Sequence, residues 1–212
     1  KPPVGNPVPA PKSEIDRWIL SRFQTLLGEI HSAMAVYHLN RLVPPLIGFL
    51  DDLTNWYIRR SRRRFWKSEA AADKEEAFRT LHHVLLEFTK ALAPVLPFTS
   101  ELLYKRLTAG DEEAKLSVHL TYFPVADPAL QDTALERRMA LARTLVTLGH
   151  SLRKGKNLRV RQPLKSITVV VRSKERQADL DLVKDLVLEE LNVKAILSTS
   201  DETSLVKLSA RP

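Results

Sequence analysis

The chain contains no cysteine, which excludes disulfide bonds, thiolate metal sites and a thiol nucleophile. Glycine is scarce, with 6 residues in 212, and this leaves little room for the loops that cradle phosphates. Neither HExxH nor GxSxG occurs, and no apolar run approaches the ~20 residues of a membrane span. We therefore expect a binding module with no catalytic residues, no metal and no membrane-spanning segment.

The composition combines a substantial core with a strong positive charge. Hydrophobic residues make up 44% of the chain, the net charge is +8 and the pI is near 9.8. Such a balance favours a polyanionic partner, either nucleic acid or an acidic membrane surface. Residues 1–12, KPPVGNPVPAPK, predict an extended linker to further domains. They lack the apolar core of a secretion signal, so we expect a cytoplasmic protein.

The first basic segment, residues 55–67 (NWYIRRSRRRFWK), carries six positive charges and no acid. It continues an apolar repeat with helical spacing, so we expect a helix with guanidinium groups around an indole. Guanidinium forks suit phosphate oxygens, and aromatic faces stack on unpaired bases. In the alternative, the charges serve solubility and the aromatics belong to the core. The candidate nucleic-acid contacts are Trp56, Arg59, Arg60, Arg63, Arg64, Trp66 and Lys67, with one of the two tryptophans expected in the core.

The second basic segment lies between Glu136 and Glu175, where no acid occurs and eleven of the 33 basic residues are found. At its centre, SLRKGKNLRVRQPLK, we expect Gly155 and Asn157 to end a helix. The alternative is that this segment is only a charged turn between two secondary-structure elements and binds no ligand. We expect both segments to hold the same bent RNA hairpin. The candidates here are Arg153, Lys154, Lys156, Arg159 and Arg161.

Periodicity predicts a mainly α fold in two parts. Four amphipathic helices with short loops indicate an antiparallel bundle over residues 13–130, with Ser13 and Asp73 as helix caps and Phe78 facing inward. A further helix from Asp132 then leads into alternating apolar positions. These predict a small α/β unit over residues 131–212, with strands at 167–171, 193–197 and 205–208 and a helix at 180–191.

Several blocks together resemble the isoleucyl branch of the class I aminoacyl-tRNA synthetases, in the region that follows the catalytic core. The blocks are DRWILSRF (16–23), DDLTNWYIRRSRRRFW (51–66), LAPVLPFTSELLYKRL (92–107), SVHLTYFP (117–124), RVRQPLKSITVVV (159–171) and ELNVKAI (190–196). The helical half alone also fits the valyl and leucyl branches. The resemblance implies an anticodon-binding bundle followed by a C-terminal junction.

The resemblance also implies a longer enzyme that uses ATP and Mg²⁺ to attach isoleucine to its tRNA. Its catalytic HIGH and KMSKS signatures and its editing domain are absent here, so we expect this chain alone to be inactive. The expected partners are the anticodon stem-loop and the remainder of the synthetase, and we expect a monomer. Two other readings remain open: a basic helical module for protein partners, and a free-standing enzyme, which is disfavoured because no catalytic constellation is recognisable.

Overall fold

The computed structural model describes residues 10–67 and 71–201, without the side chain of Lys67. Helices dominate this part of the chain, which confirms the mainly α prediction. Most of the predicted linker and the strand predicted at 205–208 lie outside the described residues. The helices are α1 (Glu14–Ala35), α2 (Val43–Asp51), α3 (Arg59–Lys67), α4 (Ala71–Leu92), α5 (Pro97–Leu107), α6 (Thr133–Gly155) and α7 (Lys174–Leu191), and the strands are β1 (Ile167–Val170) and β2 (Ile196–Thr199).

The chain divides into two compact units, Lys1–Thr133 and Ala134–Pro212. The first contains α1 to α5, and the second contains nearly all of α6 together with the two strands and α7. In the part of the chain that the structure describes, no helix has both the length and the apolar character needed to cross a membrane.

Aromatic side chains connect three helices in the core of the first unit. The ring of Phe49 on α2 lies 5.5 Å from Phe23 on α1 and 5.0 Å from Phe88 on α4, measured between centroids. Trp18 on α1 is 1% exposed, as expected for a core residue. Tilted ring pairs at these separations add to the burial of apolar area. The three helices are therefore held by one continuous apolar core.

The helix caps differ from the prediction. Ser13 occupies the N-cap of α1, but its side chain makes no capping bond. The carboxylate of Glu76 on α4 instead accepts from the backbone N–H groups of Lys12 and Ser13, at 3.1 and 3.3 Å. Asp73 is not a cap, because α4 already begins at Ala71. A long-range carboxylate thus replaces the local cap that the sequence suggested.

The segment from Ser117 to Asp132 is irregular apart from two short 3-10 helices, and its latter part lies along α1, where buried polar side chains bind its backbone. Ser21 and Gln24 are 0% and 5% exposed. Their side-chain oxygens accept from the N–H groups of Asp132 and Asp127, each at 2.8 Å. The buried polar side chains of α1 thus supply hydrogen-bond acceptors for backbone N–H groups that have no partner within a helix or a sheet.

The second unit is built around a parallel pair of strands, β1 and β2, which α7 connects in sequence. Ile167 is paired with Ile196 and Val170 with Thr199. Asn192 ends α7 in the left-handed region, with φ 50°. The two strands and the intervening helix agree with the predicted α/β unit, although α7 begins at Lys174 rather than near residue 180.

Glu101 on α5 fastens the start of the irregular segment. Its carboxylate accepts from the Ser117 hydroxyl at 2.8 Å and the Val118 N–H at 3.0 Å, and it pairs with Lys105 at 2.9 Å. The hydrogen bonds from Lys105 and Ser117, with that from Val118, lower the pKa of Glu101 to about 2. The charged form of this carboxylate therefore stabilises the folded state.

We predict that this contribution is lost as the pH falls from the ordinary glutamate pKa of 4.5 towards about 2. The sign follows from the lowered pKa, because the unfolded chain takes up the proton first. The Glu101→Gln variant should be less stable than the parent chain at neutral pH, and this difference should shrink at about pH 3. Urea midpoints at both pH values measure the difference. Glu113→Gln, at an exposed carboxylate, is the control, and an undiminished Glu101→Gln effect at low pH would contradict the assignment.

Candidate nucleic-acid interface

The first basic segment forms α3 together with the turn before it. Residues Asp52–Ile58 are π-helical, and α3 follows without a break. Five buried residues face the core at a constant spacing of four positions, namely Phe49, Leu53, Tyr57, Ser61 and Phe65. In an α-helix each such step overshoots a full turn by about 40°, or about 160° over the four steps. The π-helical turn winds less per residue and offsets this drift.

This register decides which arginines face outward. Arg59, Arg62 and Arg63 are exposed, whereas Arg60 and Arg64 are partly buried. Within the described residues Arg63 has no hydrogen-bond or ion-pair partner. An exposed guanidinium of this kind keeps its donors available for phosphate oxygens. The side chain of Lys67, another candidate, lies outside the described residues.

Arg64 has a structural role, which corrects its assignment to RNA. Its guanidinium binds both carboxylate oxygens of Asp16, at 3.0 and 2.9 Å, and Asp73 at 2.8 Å. Asp16 is fully buried and also accepts from the Tyr57 hydroxyl at 2.8 Å. Burial opposes the charge on Arg64, but the hydrogen bonds with Asp16 and Asp73 outweigh it and raise the pKa. This guanidinium therefore links α1, α3 and α4.

The two tryptophans of the first basic segment have different environments, and one of them lies in the core as expected. Trp56 is 5% exposed, so its assignment as a base-stacking residue is corrected to a core position. The guanidinium carbons of Arg59 and Arg60 lie 5.7 and 5.6 Å from the centroid of its ring. Trp66 is 68% exposed, with Arg62 at 5.6 Å from its ring centroid. Of these two tryptophans, only Trp66 therefore has the accessible ring that stacking on a base requires.

The centre of the second basic segment contains the end of α6 at Gly155. Asn157 is left-handed with φ 54°, and the Leu158 N–H returns to the Arg153 carbonyl at 2.9 Å. This geometry agrees with the helix end predicted at Gly155 and Asn157. Five cationic residues from the last turn of α6 to the start of β1 are exposed, and four of them are candidates, namely Lys154, Lys156, Arg159 and Arg161; the fifth is Lys165.

Arg153 is the second arginine whose assignment is corrected. It is 4% exposed, and its guanidinium donates to four backbone carbonyls, those of Arg159, Gln162, Leu191 and Asn192, at 2.7 to 3.1 Å. Two of these carbonyls belong to the C-terminal end of α7, where the helix dipole favours a positive charge. Arg153 therefore joins the loop after α6 to the end of α7 and does not face a ligand.

The two units thus retain a reduced set of candidates. In the first, the exposed cations of α3 and Trp66 remain, and sequence reasoning had not selected Arg62, which covers Trp66. In the second, the four exposed cations around Gly155 remain. Among the described residues, no group of three His, Asp or Glu side chains is placed to hold a metal ion. The chemistry available at both surfaces is anion binding, with ring stacking at α3.

The comparisons with known proteins all point to tRNA ligases. Residues 16–169 match the family described as the anticodon-binding domain of tRNA ligase. The chain is 48% identical over 200 residues to the isoleucine–tRNA ligases of Chlamydia abortus and Chlamydia caviae. It is also 48% identical over 202 residues to that of Chlamydia muridarum. Each match covers 94% of this chain but only 19% of the relative. The chain therefore spans about a fifth of the length of these relatives.

The Arg64 network predicts a large stability effect at one of two neighbouring arginines. Arg64→Gln leaves the buried Asp16 carboxylate without its bidentate partner and should lower the free energy of unfolding by about 3 kcal/mol. Arg63→Gln, at an exposed position, should change it by less than about 0.5 kcal/mol. Tryptophan fluorescence during urea unfolding measures both, since all three tryptophans lie in the first unit. Equal effects would contradict the structural role of Arg64.

A parallel experiment concerns Arg153 in the second unit. Arg153→Gln removes donors from four carbonyls, so we expect a loss of about 2–4 kcal/mol in the stability of this unit. Amide hydrogen exchange in peptides covering residues 153–162 and the end of α7 should accelerate. Lys154→Gln, one residue away and exposed, should leave exchange unchanged. Unaltered protection in Arg153→Gln would show that the guanidinium does not hold the two segments together.

Proposed function

Because the chain belongs to the family of anticodon-binding domains of tRNA ligases, we propose that it binds the anticodon stem-loop of an isoleucine tRNA within a longer isoleucine–tRNA ligase. The observation that carries this proposal is the exposed face of α3, where Arg62 lies over the accessible indole of Trp66 and Arg63 is also exposed. Phosphate oxygens and unpaired bases are the two ligands that such a face suits, and an anticodon loop offers both.

The second basic segment supports the same proposal through charge alone. Lys154 is exposed in the last turn of α6, and three further cations, Lys156, Arg159 and Arg161, are exposed between α6 and β1. Phosphate contacts from flexible lysines position an RNA without reading its sequence. We therefore assign α3 to the loop bases and their phosphates, and the segment after α6 to backbone phosphates of the same RNA.

The activity of the longer protein forms part of the proposal. The relatives are named isoleucine–tRNA ligases, and the chain covers 19% of their length. We propose that ATP-dependent attachment of isoleucine takes place outside this chain, with ATP and Mg²⁺ bound there. Within the ligase this region supplies tRNA recognition, and the protein acts in the cytoplasm as a monomer.

A salt titration tests the proposal. Removing a phosphate contact should reduce the slope of log K against log salt concentration by about 0.7–0.9. We expect this change in Arg63→Gln, and a larger one in the variant that combines Lys154→Gln with Lys156→Gln. Filter binding of isoleucine tRNA at several salt concentrations gives the slope. Arg41→Gln and Lys184→Gln remove exposed charges elsewhere in the two units and should leave it unchanged.

Specificity is tested with unrelated tRNA, valine tRNA, leucine tRNA and duplex DNA in the same assay. Preference for isoleucine tRNA supports the proposal. Preference for valine or leucine tRNA would instead assign the chain to the valyl or leucyl branch. Equal affinity for all of them would contradict specific recognition. If Arg63→Gln and the double lysine variant both bind RNA as the parent chain does, the basic faces serve protein partners instead.

A further inference from the structure

Three aromatic rings meet at the junction of α3 and α4. The ring of Phe65 lies 6.2 Å from Trp66 in an edge-to-face arrangement, and 5.1 Å from Phe78 on α4. Phe65 is 6% exposed, so it forms the buried base of the cluster. The other two rings contact this base and extend from it to the surface. We call Trp66 and Phe78 the aromatic shelf.

The exposure of the shelf departs from the helical pattern. Phe78 belongs to the apolar repeat of α4 and was expected to face inward, yet it is 47% exposed, and Trp66 is 68% exposed. Single exposed apolar side chains are common on protein surfaces. Here two large exposed rings share one buried support, and an exposed apolar surface larger than a single side chain marks a binding site. The fold of the described residues gives the two rings no cover.

The charges beside the shelf favour an anionic ligand with flat rings. Arg62 lies over Trp66, and Arg63 is exposed one residue further on. Two carboxylates that precede Phe78 on α4 are already paired, Asp73 with Arg64 at 2.8 Å and Glu75 with Arg79 at 2.8 Å. A solvent-facing aromatic pair among unpaired cations combines the two elements that bind single-stranded nucleic acid, namely stacking and phosphate contact.

We propose that the aromatic shelf binds unpaired nucleobases of an RNA loop by stacking, and that Phe78 is a ligand-binding residue together with Trp66. The inference rests on the proposed function and adds to it the kind of contact and a residue on a second helix. Arg62 adds a guanidinium beside the stacked base and can reach the adjoining phosphate. Paired bases in a duplex have no free face, so the shelf discriminates a loop from a stem.

The experiment compares a hairpin RNA that has an unpaired loop with a blunt duplex of the same stem. Trp66→Leu and Phe78→Leu keep an apolar side chain and remove the ring. We expect each to weaken hairpin binding about tenfold, with duplex binding and the salt slope unchanged. Trp66→Phe should retain most of the affinity. The control, Tyr122→Leu, removes a ring that is 94% exposed outside α3 and α4, and should bind the hairpin normally.

Tryptophan fluorescence supplies a direct signal. Trp18 and Trp56 are 1% and 5% exposed, so a stacked base should quench chiefly Trp66. Hairpin-dependent quenching in the parent chain that disappears in Trp66→Phe supports the shelf. The urea midpoint of each variant establishes that it is folded before its affinity is compared.

The outcomes separate the shelf from the proposed function. If the parent chain prefers isoleucine tRNA but both leucine variants bind the hairpin within about twofold of it, the shelf is wrong and the proposed function stands. If both leucine variants weaken the hairpin and the duplex alike, stacking on unpaired bases is also excluded. If the folded parent chain binds no RNA, the proposed function and the shelf are both overturned.

Discussion

The buried carboxylate of Asp16 is the constraint on which the helical unit depends. It lies in the first turn of α1 and receives the Tyr57 hydroxyl and two nitrogens of Arg64. A buried charge is costly unless paired and fully hydrogen-bonded, so the helices that carry its partners must stay in place. Burial and the Asp16 charge raise the pKa of Tyr57, which keeps that hydroxyl protonated as a donor. The exposed face of α3 is therefore fixed by contacts on its buried side.

Much of the architecture could be predicted from the sequence, because helical periodicity, prolines and helix-ending residues act locally. The mainly α fold, the strand–helix–strand order after residue 131 and the end of α6 near Gly155 all follow from such signals. The caps did not, since Glu76 reaches the start of α1 from a distant part of the chain. Contacts across helices have no signature in the local pattern.

The candidate site was predictable only in part, for a related reason. Five arginines within six positions indicate a cationic helix, but not which of them faces solvent. Arg63 and Arg64 are neighbours, yet one is exposed and the other binds two carboxylates. Arg153 shows the same limit, because its partners are carbonyl groups that carry no side-chain identity. The charge density of the sequence thus predicts a cationic surface, but tertiary packing determines which of the cationic residues are exposed on it.

The π-helical turn at Asp52–Ile58 has an evolutionary consequence. Loss of one residue there would let the helix close as an ordinary α-helix, and six α-helical residues wind about as far as the seven residues of the present turn. Arg64 would then still face Asp16, and the outward row of α3 would be kept. A lineage can therefore lose one residue at this turn, whereas the loss of a second, with no π-helical turn left to absorb it, would rotate everything after it by about 100°.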